Sequence, residues 1–203
     1  MFADELISCL REMYPGGYSH TCRDPFYMLV STVLSQRTRD EVTIPATKRL
    51  FAVYDTPRKM AEADAEDIQA LIRDVGFYRV KARRIVEISR IILQDYGGVV
   101  PNSMEELLRL PGVGRKTANC VLGYAYEQDV IAVDTHVHRI SNRLGLVKTS
   151  GPDETEKELE KVVPKDAWKD VNGLMVLFGQ SICRPTSPRC EECRLKAICP
   201  RIL

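Results

Sequence analysis

Residues 110–120 read LPGVGRKTANC. Pro111, Gly112 and Gly114 make a turn, and two cations, Arg115 and Lys116, stand directly behind it at the head of a helix-forming run. A short helical stretch over 103–109 precedes the turn, and helical patterning follows it to about residue 126. Helix, glycine turn and helix together form a helix–hairpin–helix. Glycine admits backbone conformations that other residues resist and removes side chains that would block close approach. Gly112, Val113 and Gly114 can therefore present bare N–H groups at a helix start, which is an anion site. A DNA phosphate is a natural ligand there, held without sequence readout. Ordinary inter-helix turns share this composition, so the segment alone leaves both readings open.

Lys116 lies on the electropositive side of the helix dipole, which disfavours its ammonium form. A nucleophile must be the neutral amine; a phosphate-binding surface cation is the alternative. Just downstream, VIAVDTHVHRISNRLGL (130–146) delivers Asp134 to the start of a helix predicted to reach about residue 143, with Gly145 beyond it. Asp134 can be an N-cap only. With Lys116 it also suits chemistry through a cationic intermediate, the amine attacking a sugar carbon while the carboxylate stabilises the charge that develops. The two roles are compatible in one residue.

The remainder of the chain reads as helix: 2–13, 26–35 behind Pro25, a stretch to residue 54 that Pro45 either breaks or restarts, 64–75, 79–95, 153–163 and 167–180. Ile85, Ile88 and Ile92 share one face of the 79–95 segment. The run 130–133 is too short to assign, and no stretch alternates with period two, so the fold class is all-α. A chain of 203 residues, 44% hydrophobic and 28% charged, accommodates one large domain or two small lobes. Its net charge of +1 says nothing about partners. No apolar run approaches the roughly 18 residues of a membrane span, and the N-terminal stretch does not read as a signal peptide, so none is expected. A monomer in the cytoplasm (the prokaryotic cytosol or nucleoid) is expected, with no membrane partner.

Seven cysteines are present; Cys9, Cys22 and Cys120 are scattered, whereas Cys183, Cys190, Cys193 and Cys199 crowd into the tail. In a reducing compartment this is a metal or cluster site rather than a disulfide framework. The spacing does not choose between Zn²⁺ and [4Fe–4S], since both accept four thiolates. From Cys183 onward, Arg184, Arg189, Arg194, Lys196 and Arg201 outnumber Glu191 and Glu192, a basic patch expected to bind phosphate with salt-sensitive affinity. His136 and His138 have no third ligand nearby and read as structural or DNA-facing.

LPGVGRKTAN followed by AVDTHVHR resembles the helix–hairpin–helix, Gly/Pro…Asp (HhH-GPD) superfamily of DNA glycosylases, and the Cys-x6-Cys-x2-Cys-x5-Cys tail is similar to the cluster loop of its endonuclease III branch. The resemblance extends from LSQRTRD (34–40) through GFYRVKA (76–82) to the last cysteine. It implies two helical lobes with a DNA-binding cleft between them: a six-helix barrel over 18–128, and an iron–sulfur lobe of 1–17 with 129–203. It implies a [4Fe–4S] cluster on Cys183, Cys190, Cys193 and Cys199. It implies that Lys116 attacks C1′ of the damaged nucleotide, expels the base and leaves a Schiff base, with Asp134 as partner, and that β-elimination then cuts the strand 3′ to the lesion. The expected function is a bifunctional glycosylase/AP lyase acting on oxidised pyrimidines (thymine glycol type) or abasic sites in double-stranded DNA, in base excision repair. A mismatch or uracil/thymine glycosylase is the alternative within the superfamily. A non-catalytic iron–sulfur DNA-binding protein is the alternative from another class, and it would need neither Lys116 nor Asp134.

Such an enzyme must extrude its nucleotide and fill the gap. By the resemblance, Phe77, often leucine in the family, is the wedge, beside Tyr78 and followed by the cations Arg79, Lys81, Arg83 and Arg84; packing of Phe77 in the core is the alternative. LSQRTRD supplies the second insertion. The family commonly has glutamine where Arg37 stands, and here Gln36 lies one place earlier. A guanidinium only donates hydrogen bonds and pairs with an orphaned base differently from an amide. Arg184 and Arg189, flanking the first cluster loop, are expected to contact DNA.

Overall fold

The computed structural model describes residues 2–17 and 23–201, and every regular element among them is helical. Cys22 and the 18–22 stretch of the expected barrel lie outside the described residues. The main helices are α1 (Phe2–Met13), α2 (Pro25–Ser35), α3 (Asp40–Phe51), α4 (Pro57–Glu62), α5 (Ala65–Leu71), α6 (Tyr78–Tyr96), α7 (Met104–Arg109), α8 (Arg115–Cys120), α9 (Thr135–Arg143), α10 (Pro152–Val162) and α11 (Trp168–Ser181).

Local chemistry sets most of these starts. Asp24 accepts the Tyr27 N–H ahead of Pro25, Asp64 the Glu66 N–H, and Ser103 the Glu106 N–H, each satisfying a donor that a helix leaves open. The structure departs from the sequence reading in four places. Pro45 neither breaks nor starts a helix but lies inside α3, forgoing one intrahelical bond. The 64–75 stretch is helical only to Leu71, because Ile72 leaves the helical region at φ −116°, ψ 25°. An unexpected helix, α4, is announced only by Thr56, which caps it through the Lys59 N–H, and by Pro57. Beyond Cys120 the chain remains helical but widens into a π-helix over Val121–Ala125.

The chain divides into two compact units, Cys22–Tyr126 and Met1–Thr21 with Glu127–Leu203. In the first, α6 packs against α2, α4 and α5, while α2 also meets α3 and α8 and α7 packs on α8. Ile85, Ile88 and Ile92 are fully buried on the inner face of α6, as the periodicity predicts. In the second, α1 and α9 both pack on α11, and α10 packs on α9. Its core is built on Leu6, Leu10, Val137, Ile140, Met175 and Phe178, with Trp168 at the edge donating its indole N–H to the Val163 carbonyl at 2.9 Å. No helix among the described residues is long and apolar enough to cross a membrane.

Candidate functional site

In the Cys22–Tyr126 unit, Leu110 and Val113 are buried and anchor the turn between α7 and α8. The Val113 N–H is already bonded to the Leu110 carbonyl at 3.1 Å, so it is not among the groups the turn offers outward, contrary to expectation. Gly112 and Gly114 are both exposed, but they are glycines for different reasons. Gly112 has φ +72°, and a Cβ there would lie 2.3 Å from the Arg84 guanidinium carbon. Gly114, the N-cap of α8, has an extended φ of −101°, and a Cβ would meet nothing within 4 Å. The fold demands the first; only access from outside favours the second. Lys116 is half-buried at the second position of α8. Arg84, read from sequence merely as one cation in a run, lies across the hairpin.

The Gln36 amide donates to the Gly112 carbonyl at 3.0 Å and to Thr117 Oγ1 at 3.3 Å. Its N–H groups are thus engaged within the protein. Arg37 beside it is exposed, with φ +53°. Phe77 has φ +60° and is 62% exposed, which excludes the core alternative. The Arg37 guanidinium stands 6.0 Å from the Phe77 ring centroid. Two neighbouring non-glycine residues in the left-handed region each carry about 1–2 kcal/mol of strain. Tyr78, at the start of α6, is half-buried with Arg79 over its ring at 5.2 Å. Lys81, one of the cations that follow Phe77, lies apart from the others. It is only 2% exposed, and its amine points inward to the Leu34 carbonyl.

In the other unit, Ile131, Ala132 and Val133 are buried and hold Asp134 at the head of α9. One of its carboxylate oxygens accepts the His136 and Val137 N–H groups at 2.8 and 2.9 Å, as expected of an N-cap. His138 is structural: its Nδ1 meets Thr155 Oγ1 at 2.7 Å, and Thr155 Oγ1 meets Thr149 Oγ1 at 2.6 Å.

The tail cysteines 183, 190, 193 and 199 are all free and half-buried. Burial pushes the Cys193 thiol above its usual range, the Leu195 N–H opposes this, and the neighbouring Cys199, Cys183 and Cys190 add to the rise. Among the described residues, no three His, Cys, Asp or Glu side chains are grouped as a single ion would hold them. Sequence reasoning missed the two arginines of α9 that frame this loop. Arg139 donates to the Cys183 carbonyl at 2.9 Å. Arg143 donates to the Arg184 and Pro185 carbonyls at 2.6 and 2.8 Å and stands 3.8 Å from Cys183 Sγ. The tail is also less cationic than its composition suggests: Arg194 pairs with Glu12, Lys196 with Glu191, and Arg189 with Glu192 at 3.5 Å. The expected patch thus contracts towards Arg184, and Arg189 is not a lone cation.

Residues 30–165 match the HhH-GPD superfamily of base excision DNA repair proteins. The chain is 57% identical over 196 residues to endonuclease III of Thermotoga maritima, covering 97% of this chain and 91% of that protein. It is 42% identical over 177 residues to endonuclease III of Bacillus subtilis, covering 87% and 81%. A solved structure of a trapped endonuclease III–DNA covalent intermediate superposes with a TM-score of 0.90 at 38% identity, covering 96% of this chain and 92% of that one. A thermostable thymine-DNA glycosylase shares the fold at 24% identity, with a TM-score of 0.88 and coverage of 98% and 95%. With a glycine hairpin carrying a lysine and a carboxylate capping the helix that follows, the chain belongs to the endonuclease III family of the HhH-GPD superfamily.

Proposed function

We infer that this chain is a DNA glycosylase and AP lyase of base excision repair, and we propose that it removes oxidised pyrimidines from duplex DNA and cuts the strand by β-elimination. The observation that carries this reading is Lys116 at the second position of the helix leaving the glycine hairpin, in a chain 57% identical to an endonuclease III. Lys116 is the nucleophile. Its neutral amine forms a bond to C1′, the bond from C1′ to the base breaks, and the base departs with the electron pair and takes up a proton. The attached nitrogen then loses its proton and the C1′–O4′ bond breaks, O4′ taking the electron pair and a proton, which leaves an iminium at C1′; a C2′ proton departs and its electron pair expels the 3′ phosphate. Asp134 is the carboxylate that offsets the positive charge on the sugar; its helix-capping bonds hold one oxygen in place. The exposed Gly112 and Gly114 hold a phosphate of the damaged strand, and Arg37 and Phe77 enter the duplex as the nucleotide leaves.

The four tail thiols fit a [4Fe–4S] cluster. They form an all-sulfur donor set, and the nearby Arg143 partly balances the anionic charge of such a centre. When bound, the group supplies structural rigidity to the loop bearing Arg184.

Borohydride trapping tests the catalytic assignment. Wild type forms a covalent adduct with thymine-glycol or abasic duplex, and Lys116→Gln forms none; an adduct with Lys116→Gln removes the nucleophile from this residue. A panel of duplexes carrying thymine glycol, uracil or a G·T mismatch resolves the substrate, and preference for either of the last two replaces the oxidised-pyrimidine assignment.

A further inference from the structure

We propose that Lys81 is a positioning residue for nucleotide extrusion: its side chain locks the 34–38 segment that carries Arg37 and, through Gln36, fastens that segment to the glycine hairpin. The inference rests on the glycosylase reading above. Burying a lysine is costly unless its donors are satisfied. Here the amine donates to the Leu34 carbonyl at 2.8 Å, the Gln36 carbonyl at 2.5 Å and Thr38 Oγ1 at 3.0 Å, a full set for an ammonium. Leu34 lies in the last turn of α2 and Gln36 is its C-cap, where carbonyls lack intrahelical partners and the dipole favours a cation. That accounts for a buried lysine whose three recorded acceptors are all uncharged. Burial, and secondarily the charge of Arg84, lower its pKa to about 8, which leaves the ammonium form dominant at neutral pH.

The consequences run outward in three directions, all within the Cys22–Tyr126 unit. The chain leaves α2 and passes through Arg37 at φ +53°, a conformation that persists only where the surroundings impose it. Lys81 grips the residues on both sides of Arg37. On the opposite side, Gly76 brings its backbone so close that a Cβ would stand 3.2 Å from the Arg37 carbonyl oxygen and from Thr38 Oγ1. The Lys81 N–H also bonds to the Phe77 carbonyl at 3.0 Å, so the anchor and the exposed aromatic are one helical turn apart. Gln36 extends the network to the Gly112 carbonyl and Thr117 Oγ1. One amine thereby sets the spacing of two outward-facing insertion residues and a phosphate-binding turn. A misplacement of about 1 Å in such a constellation costs roughly a hundredfold in rate.

The experiment compares wild type with Lys81→Met, which keeps length but no donor, and Thr38→Val, which removes one of the amine's acceptors with little change of shape. Single-turnover base release is measured on a thymine-glycol duplex with 2-aminopurine opposite the lesion. β-Elimination is measured on single-stranded abasic DNA, which has no stack to open. The expected result is that Lys81→Met slows base release by about tenfold or more with a diminished 2-aminopurine signal, Thr38→Val does so to a smaller extent, and single-strand cleavage stays within about twofold for both. Parallel loss of both activities in Thr38→Val assigns the network to general stability and overturns the proposal. So does wild-type base release in a folded Lys81→Met; if that variant does not fold, wild-type base release in Thr38→Val overturns it alone. A wild-type protein inactive on both substrates would instead remove the glycosylase reading itself.

Discussion

Replacing each hairpin glycine by alanine separates what the fold requires from what a ligand requires. Gly112→Ala places a Cβ on a residue with φ +72°, at about 1–2 kcal/mol for the left-handed conformation. The same Cβ falls 2.3 Å from Arg84 Nε and Cζ and 2.5 Å from its Cδ, so that side chain must also abandon its packing, and the total is about 2 kcal/mol. Gly114→Ala meets no atom within 4 Å and needs no unusual φ. Alanine is a poorer N-cap than glycine, but it also restricts the unfolded chain, and the two effects offset to within about 0.5 kcal/mol. Urea unfolding therefore finds Gly112→Ala destabilised and Gly114→Ala close to wild type. Fluorescence anisotropy with an abasic-analogue duplex finds affinity lowered about tenfold in Gly114→Ala, because its methyl group obstructs the proposed phosphate contact. Combining Gly112→Ala with Arg84→Ala relieves the clash, so the pair costs less than the sum of its members. Equal destabilisation by the two alanines, or strict additivity in the double variant, would refute the reasoning.

The cluster loop and the buried lysine give further tests. Arg143→Met removes two charge-assisted bonds to the Arg184 and Pro185 carbonyls and costs about 2–3 kcal/mol in urea unfolding; the visible absorbance expected of the proposed cluster also bleaches sooner in the purified variant than in wild type on exposure to air. Arg184→Ala lowers the slope of log affinity against log salt by about 0.9, and Arg189→Ala lowers it less, because Glu192 already stands 3.5 Å from that guanidinium; equal changes would restore the broad basic patch. Lys81 titrates near 8 in the folded chain, while the unfolded lysine remains charged to about 10.4. Between those values the unfolded state binds more protons, so stability gained from this group rises with pH, and below about 8 it is flat. The stability difference between wild type and Lys81→Met, measured by urea unfolding at successive pH values, widens through that window; a constant difference contradicts the assignment.

Much of the architecture is legible in the chain because helix starts are local events. A side-chain oxygen two or three residues ahead of an open N–H is enough, and Asp24, Asp64, Ser103 and Asp134 all cap the helices that follow them. The six-residue α4 escapes because it is too short to show a period, although Thr56 and Pro57 mark its start. The hairpin, Lys116, Asp134 and the cysteine run are equally visible as local patterns, although their spacing alone left more than one chemistry open for each.

Charge is where local reading fails, because a cation's role depends on what surrounds it, and packing decides that. Lys81 sits in a run of cations that looks like one DNA-facing surface, yet the end of α2, more than forty residues earlier in the chain, supplies acceptors that hold it inside. Arg194 looks like part of a basic tail until α1 brings Glu12 to it across 182 residues of sequence. The sequence by itself determined most of the helices and made the candidate reactive groups visible, because both depend on neighbours a turn away; the tertiary structure alone decided which charges face outward, because desolvation and ion pairing are settled by residues distant along the chain.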